Sequence, residues 1–186
     1  MDQRVNYCLI GDTNVGKTCL MLKYTQGEFY KTFHSTVGVD FATKLITYEP
    51  YRVRLNIWDT AGQEKYHSIC RSYYRMCDIV ILMFDVTNYE SFDHLRRWYN
   101  DILEYNSKQL IGIIVGNKTD LYPQVVSQSD IDSLVALTGF EYIDISVKND
   151  DVSVVFNRSL EQYLMKQRME YNSIPKVITE RHTCCW

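Results

Sequence analysis

The stretch Gly11-Asp12-Thr13-Asn14-Val15-Gly16-Lys17-Thr18 constrains this chain more than any other. It reads G-x-x-x-x-G-K-T, the phosphate-loop pattern, and that loop works only between a strand and a helix. The short apolar run Val5–Ile10 precedes it, and the helical-looking run Cys19–Gln26 follows. Gly11 and Gly16 permit backbone angles that a Cβ disfavours. The N–H groups of Asp12, Asn14, Val15, Gly16, Lys17, Thr18 and Cys19 are expected to converge on phosphate oxygens, helped by the positive end of the helix dipole. Lys17 is expected to reach the terminal phosphates as a point charge. The Thr18 hydroxyl is expected to ligate Mg²⁺. The competing interpretation is a chance match in a glycine turn, which the flanking elements argue against. The loop implies a nucleoside triphosphate and leaves the base open.

Strand and helix characters alternate along most of the chain. Val39–Tyr48 and Arg52–Trp58 alternate enough to be strands joined around Glu49-Pro50. Gly27 to Gly38 lacks a period and is expected to be a loop. A helix is expected around Ser68–Arg75. Ile79–Phe84 is a continuous apolar run ending in Asp85, as in a buried parallel strand. A helix over Ser91–Asn106, a strand over Ile111–Val115 and a helix over Ser127–Leu137 follow. A strand over Glu141–Ile145 and a helix from Asp151 to about Met169 close the series. This order predicts an α/β fold, a six-stranded mostly parallel sheet with helices on both faces. Ligands in such folds bind at the carboxyl ends of the strands.

Asp59-Thr60-Ala61-Gly62-Gln63 follows the strand ending at Trp58. An Asp there is placed to hold Mg²⁺. Gly62 can bring its N–H to a γ-phosphate, and Gln63 can orient an attacking water. Asn117-Lys118-Thr119-Asp120 follows the fifth strand. Guanine offers N1–H and the N2 amine side by side, two donors for the single carboxylate of Asp120. Adenine presents a lone pair there, and a site built on such pairing discriminates by roughly 10⁴-fold or more. The Lys118 stem can cover a base face, and Asn117 can brace the phosphate loop. Each motif alone is also an ordinary polar turn. Their order along the chain is what separates them from that alternative.

Together these residues resemble the Rab family of Ras-superfamily small GTPases, over about Tyr7 to Met169 and at the C-terminus. Thr36-Val37-Gly38-Val39-Asp40-Phe41, Arg54-Leu55-Asn56-Ile57-Trp58, Glu64 after Gln63, Ser72-Tyr73-Tyr74-Arg75 and Phe84–Phe92 are similar to segments of that family. The resemblance implies a GTPase G domain of the α/β class with GTP/GDP and Mg²⁺ as ligands. It implies that Thr36 joins Thr18 and Asp59 on Mg²⁺, and that Lys17, Thr36 and Gln63 carry the catalysis. It implies that Phe29 packs against the base. Ser146-Val147-Lys148 takes the place of Ser-Ala-Lys, where a backbone N–H meets guanine O6. Val147 keeps that donor, at a modest loss of affinity. Thr13 and Asn14 crowd the γ-phosphate position and imply slow intrinsic hydrolysis. Met76-Cys77 replaces Gly-Ala, which bears on partner choice.

At 186 residues and net charge −3, the chain suits one domain and carries no basic field for nucleic acid. With a strand expected almost from the first residue, no signal peptide is expected. Six cysteines, with no metal-ligand spacing, suit a reducing cytosol. The expected division is a GTP-binding domain over 1–169 and a flexible tail over 170–186. The tail ends Thr183-Cys184-Cys185-Trp186. It lacks a C-a-a-X box. The cysteine pair is similar to the Rab double-geranylgeranyl signal. Arg168 to Trp186 holds three basic and two acidic residues, so membrane binding is expected to need lipid on both Cys184 and Cys185. The implied partners are an exchange factor, a GTPase-activating protein, effectors reading the switch loops, a GDP-dissociation inhibitor and a prenylation escort. The implied place is the cytosolic face of an endomembrane. Two alternatives remain: a GTP-holding membrane mark with little useful hydrolysis, and a phosphate-loop kinase or ATPase, which Asp120 opposes.

Overall fold

The computed structural model describes residues 2–29, 36, 38–48, 51–62, 72–106 and 110–173. Its order is β1 (Asp2–Ile10), α1 (Lys17–Gln26), β2 (Val39–Tyr48), β3 (Tyr51–Thr60), β4 (Ile79–Asp85), α2 (Tyr89–Asp93), α3 (Leu95–Tyr105), β5 (Ile111–Asn117), α4 (Gln128–Thr138), β6 (Glu141–Ile145) and α5 (Ser153–Ser173). The six strands lie in the order β2-β3-β1-β4-β5-β6. Among the described residues only the β2–β3 pair is antiparallel, with Val39 opposite Thr60 and Tyr48 opposite Tyr51.

Two cores follow from the pleat. Val5, Tyr7 and Leu9 of β1 point to one face with Val53, Leu55 and Ile57 of β3. Against them pack Leu20 and Tyr24 of α1 and Phe156 and Leu160 of α5, and the Tyr24 and Phe156 rings stack at 3.8 Å. Cys8 and Ile10 point the other way, joining Val80, Leu82 and Phe84 of β4. Leu95, Trp98 and Ile102 of α3 and Ile131 and Leu134 of α4 cover that side. β4 is buried at every position, as its unbroken apolar run requires.

The expected helix over Ser91–Asn106 is two helices. Asn88 caps the first, its Oδ1 accepting from the N–H groups of Glu90 and Ser91, so the helix begins at Tyr89. His94 separates the two but keeps right-handed angles, so the chain jogs rather than turns away. α5 runs to Ser173, past Met169. β1 starts at Asp2, because Asp2, Gln3 and Arg4 find ladder partners in Arg52, Val53 and Arg54. Of the helix expected around Ser68–Arg75, residues 72–74 are helical and 68–71 lie outside the described residues. Among the described residues no helix is long and apolar enough to cross a membrane.

Candidate functional site

The carboxyl ends of β1, β3, β5 and β6 deliver four loops to one cavity of about 440 Å³. Asn14, Gly16, Lys17, Thr18 and Cys19 line one end, with Thr36 and Gly62. Phe29, Asn117, Lys118, Asp120, Val147 and Lys148 line the other. Thr13, Thr60 and Leu121 also face it.

At the phosphate-loop end, Gly16 adopts φ 104° at the start of α1, and a Cβ there would meet the Asn117 Nδ2 at 2.3 Å. Asn14 takes φ 64°, a left-handed angle that Asn tolerates better than most residues. Lys17 is buried, and its Nζ donates to the carbonyls of Gly11 (2.8 Å) and Asp12 (2.6 Å). Gly62 passes against the loop so closely that a Cβ would lie 2.3 Å from the Thr13 nitrogen. The Asp12 side chain points away from the cavity. It accepts from Trp98 Nε1 at 2.7 Å and pairs with His94 Nδ1 at 2.7 Å.

Asp59, at the end of β3, is fully buried. Its Oδ2 accepts from the Thr18 hydroxyl at 2.5 Å and the Thr36 hydroxyl at 3.4 Å, and those hydroxyls lie 3.0 Å apart. Its Oδ1 is buried with no hydrogen-bond partner among the described residues. Burial pushes the Asp59 carboxyl above its ordinary pKa, and Asp40 adds to this. The Thr18 and Thr36 hydroxyls and the Lys17 charge only partly oppose it. A buried carboxylate with one unanswered oxygen, beside two hydroxyls, is a hard oxygen set. It fits Mg²⁺, which keeps several waters and takes few protein ligands. Gln63, expected to orient water, lies outside the described residues.

The opposite end is tied together internally. Asn117 donates from Nδ2 to the Val15 carbonyl at 2.8 Å, and its Oδ1 accepts from the Val147 N–H at 2.9 Å. One side chain thus links the phosphate loop to the loop after β6. It also engages the Val147 N–H, the donor expected near guanine O6. The Ser146 hydroxyl donates to Asp120 Oδ1 at 2.6 Å, and Lys148 Nζ lies 3.8 Å from Oδ2. Lys118, at φ 70°, reaches back to Asp85 Oδ2 at 2.6 Å. Burial alone would raise the Asp85 carboxyl, but Lys118 and Thr87 outweigh it and hold the pKa below the usual range. Lys23 of α1 donates to the carbonyls of Lys148 and Asp150, locking the loop from behind.

Several contributors carried weaker sequence signals. Asp85 ends an apolar strand directly across from Asn117, the register that brings Lys118 back to it. His94 and Trp98 stand four residues apart on one helical face, the spacing at which two side chains can grip one partner. Leu121, next to Asp120, adds an apolar wall. Cys184 and Cys185 lie outside the described residues, as do His34, Lys65, Tyr66 and His67.

The pattern that describes the Ras family matches residues 6–165. The chain is 40% identical to the Ras-related protein Rab-37 of Homo sapiens over 142 residues, covering 75% of this chain and 64% of that protein. It is 38% identical to Rab-10 of Caenorhabditis elegans over 167 residues, covering 89% and 83%. It is 35% identical to the Ras-related protein SEC4 of Saccharomyces cerevisiae over 150 residues, covering 81% and 70%. The chain spans just under two thirds of the length of Rab-37 and of the rat Rab-26.

Proposed function

The chain belongs to the Ras family and to its Rab branch, and from that premise we propose a GTP/GDP-regulated switch that hydrolyses GTP and serves vesicle traffic. The observation that carries this reading is the pairing within one cavity. Two hydroxyls and Asp59 gather beside Lys17, and Asp120 stands at the far end.

The chain's own groups divide the work. Asp120 accepts from guanine N1–H and the N2 amine, with Ser146 keeping the carboxylate in place. Phe29 and the Lys118 stem bound the base. Lys17 exchanges its carbonyl acceptors for phosphate oxygens. Thr18, Thr36 and Asp59 would hold Mg²⁺, which would supply positive charge to offset the charge developing on the phosphates. Gln63 and the Thr36 carbonyl align water for in-line attack. Loss of the γ-phosphate removes contacts from Thr36 and Gly62, so effectors reading the ordered switches let go.

Turnover of the chain alone is slow, because Thr13 and Asn14 narrow the γ-phosphate end. An arginine supplied in trans by an activating protein accelerates such sites by roughly 10³–10⁵. An exchange factor, a GDP-dissociation inhibitor and a prenylation escort complete the cycle. Residues 170–186 carry lipid at Cys184 and Cys185, which holds the protein on the cytosolic face of an endomembrane. Single-turnover hydrolysis of GTP, with Gln63→Leu as control, tests the reading. Wild type is expected to cleave GTP faster than the variant, and by a far larger margin with an activating protein. Equal rates under both conditions would leave only a static GTP-holding mark.

A further inference from the structure

Around Arg4, Arg52 and Arg54, at the β1–β3 side of the sheet, the face turned away from α1 and α5 is exposed. On β2, β3 and the first half of β1, Val5, Val53 and Leu55 turn inward to α1 and α5. Arg4, Arg52 and Arg54 turn the other way and are exposed. Arg4 stands directly across from Arg54, and Arg52 lies two positions along the same strand. Neighbouring strands lie about 4.8 Å apart, and side chains on one face recur about every 6.8 Å. The backbone positions of the three arginines therefore lie within roughly 8 Å of one another, comparable with the Debye length at physiological salt, about 8 Å.

Like charges directly opposite one another weaken a sheet. None of the three arginines forms an ion pair with another described side chain; the pairs at Asp12, Asp85, Asp120 and Glu141 are all made elsewhere. The nearby Asp78 carboxylate accepts from the Asn6 backbone and side chain. This basic spot sits in a chain of net charge −3. Beside it Leu45, opposite Arg54, is 47% exposed, and Phe41 (46% exposed) leans on Trp58 farther along the same face.

We propose that this face docks an acidic, extended segment of a partner protein across Arg4, Arg54 and Arg52. Carboxylates on alternate residues of an extended chain match the strand spacing of the arginines. Guanidinium takes a carboxylate in a two-point grip, which ammonium does not. The adjoining Leu45, Phe41 and Trp58 add the apolar and aromatic contact typical of protein interfaces. An anionic membrane would need a broader basic plane, and the chain's net charge opposes nucleic acid.

The full chain loaded with GDP is titrated with a labelled ten-residue peptide alternating Glu and Thr, against one alternating Lys and Thr. Binding of the acidic peptide alone is expected, and it should vanish near 1 M salt, where screening shortens to about 3 Å. Arg4→Ser/Arg52→Ser/Arg54→Ser is expected to weaken it about tenfold or more, the scale of several exposed ion pairs. The control Arg96→Ser/Lys166→Ser/Arg168→Ser, with the same charge change on α3 and α5, is expected to weaken it less than about twofold. Replacing the three arginines by Lys should lose part of the affinity, and GDP affinity should stay unchanged in all variants. Equal weakening by the control variant, or no weakening by the triple Ser variant, overturns the proposal. Arginine-dependent binding to phosphatidylserine vesicles without peptide binding overturns it in favour of a membrane.

Discussion

The two ends of the nucleotide cavity are finished to different degrees. At the base end every key side chain already has a partner: Asn117 on Val15 and Val147, Asp120 on Ser146, Lys118 on Asp85. At the phosphate end Asp59 keeps an unanswered oxygen, and Lys17 rests on two carbonyls. The Asp85 carboxyl is held below its usual pKa, whereas that of Asp59 is pushed above it. A rigid base end stays the same whatever the number of phosphates, so it can set specificity. A phosphate end with unmet charge is completed by its ligand, so it can respond to what is bound. A switch needs both, and the difference follows from where the strands end and what the loops after them carry.

The largest effect should come from the finished end. Asp120→Ala removes the carboxylate proposed to distinguish guanine, while Ser146 retains solvent as a partner. GTP affinity, measured by titration with a fluorescent analogue, should fall about 10³- to 10⁴-fold, with ATP binding unchanged. The melting temperature of the ligand-free protein should move by no more than about 2–4 °C. A small loss of GTP affinity would mean that the base end does not set specificity.

This contrast was only partly legible in the residues. The phosphate loop, the alternation of strands and helices, and Asp120 all declare themselves locally, by spacing and by residue type. The grip on Asp12 by His94 and Trp98 spans 82 and 86 positions, so no window on the chain could contain it. The same holds for the Lys118–Asp85 pair, which depends on β4 and β5 aligning Asp85 with Asn117. The start of β1 was hidden for a different reason. Asp2, Gln3 and Arg4 have no apolar period, and only the partner strand makes them a strand. The break at His94 leaves no trace in a helical pattern, because its angles remain helical.

The second effect should have opposite signs with and without ligand. Asp59→Asn removes a buried charge that the ligand-free fold only partly answers. The Asp59 carboxyl is raised, so its contribution to stability is present at low pH and lost as pH rises through the raised value. Ligand-free wild type should therefore lose stability across that window, and the variant should not. Near pH 7.5 the variant should be more stable by about 1 kcal/mol, or 2–4 °C in melting temperature. With GTP and Mg²⁺ the order should reverse, because the variant offers the cation no charge. A variant that is less stable under both conditions would mean that Asp59 is already satisfied without ligand.

The smallest effect sharpens the comparison from the other end. Asp85 is held below the ordinary carboxylate range, so its contribution to stability is present above that range. It is lost as pH falls through the depressed value. Asp85→Asn should cost about 1 kcal/mol at pH 7, a modest figure because Lys118 remains partly open to solvent. The difference from wild type should close as the pH is lowered into the acid range, read from thermal melts of the ligand-free chain. The two substitutions thus change the pH profile of stability in opposite directions. Asp59→Asn flattens a loss on the rising side, and Asp85→Asn flattens a loss on the falling side. If both shifted stability the same way with pH, the division into a finished and an unfinished end would fail. If the slopes oppose, the ionisation of two carboxylates behind the lining of one cavity reports which end is complete before any nucleotide arrives.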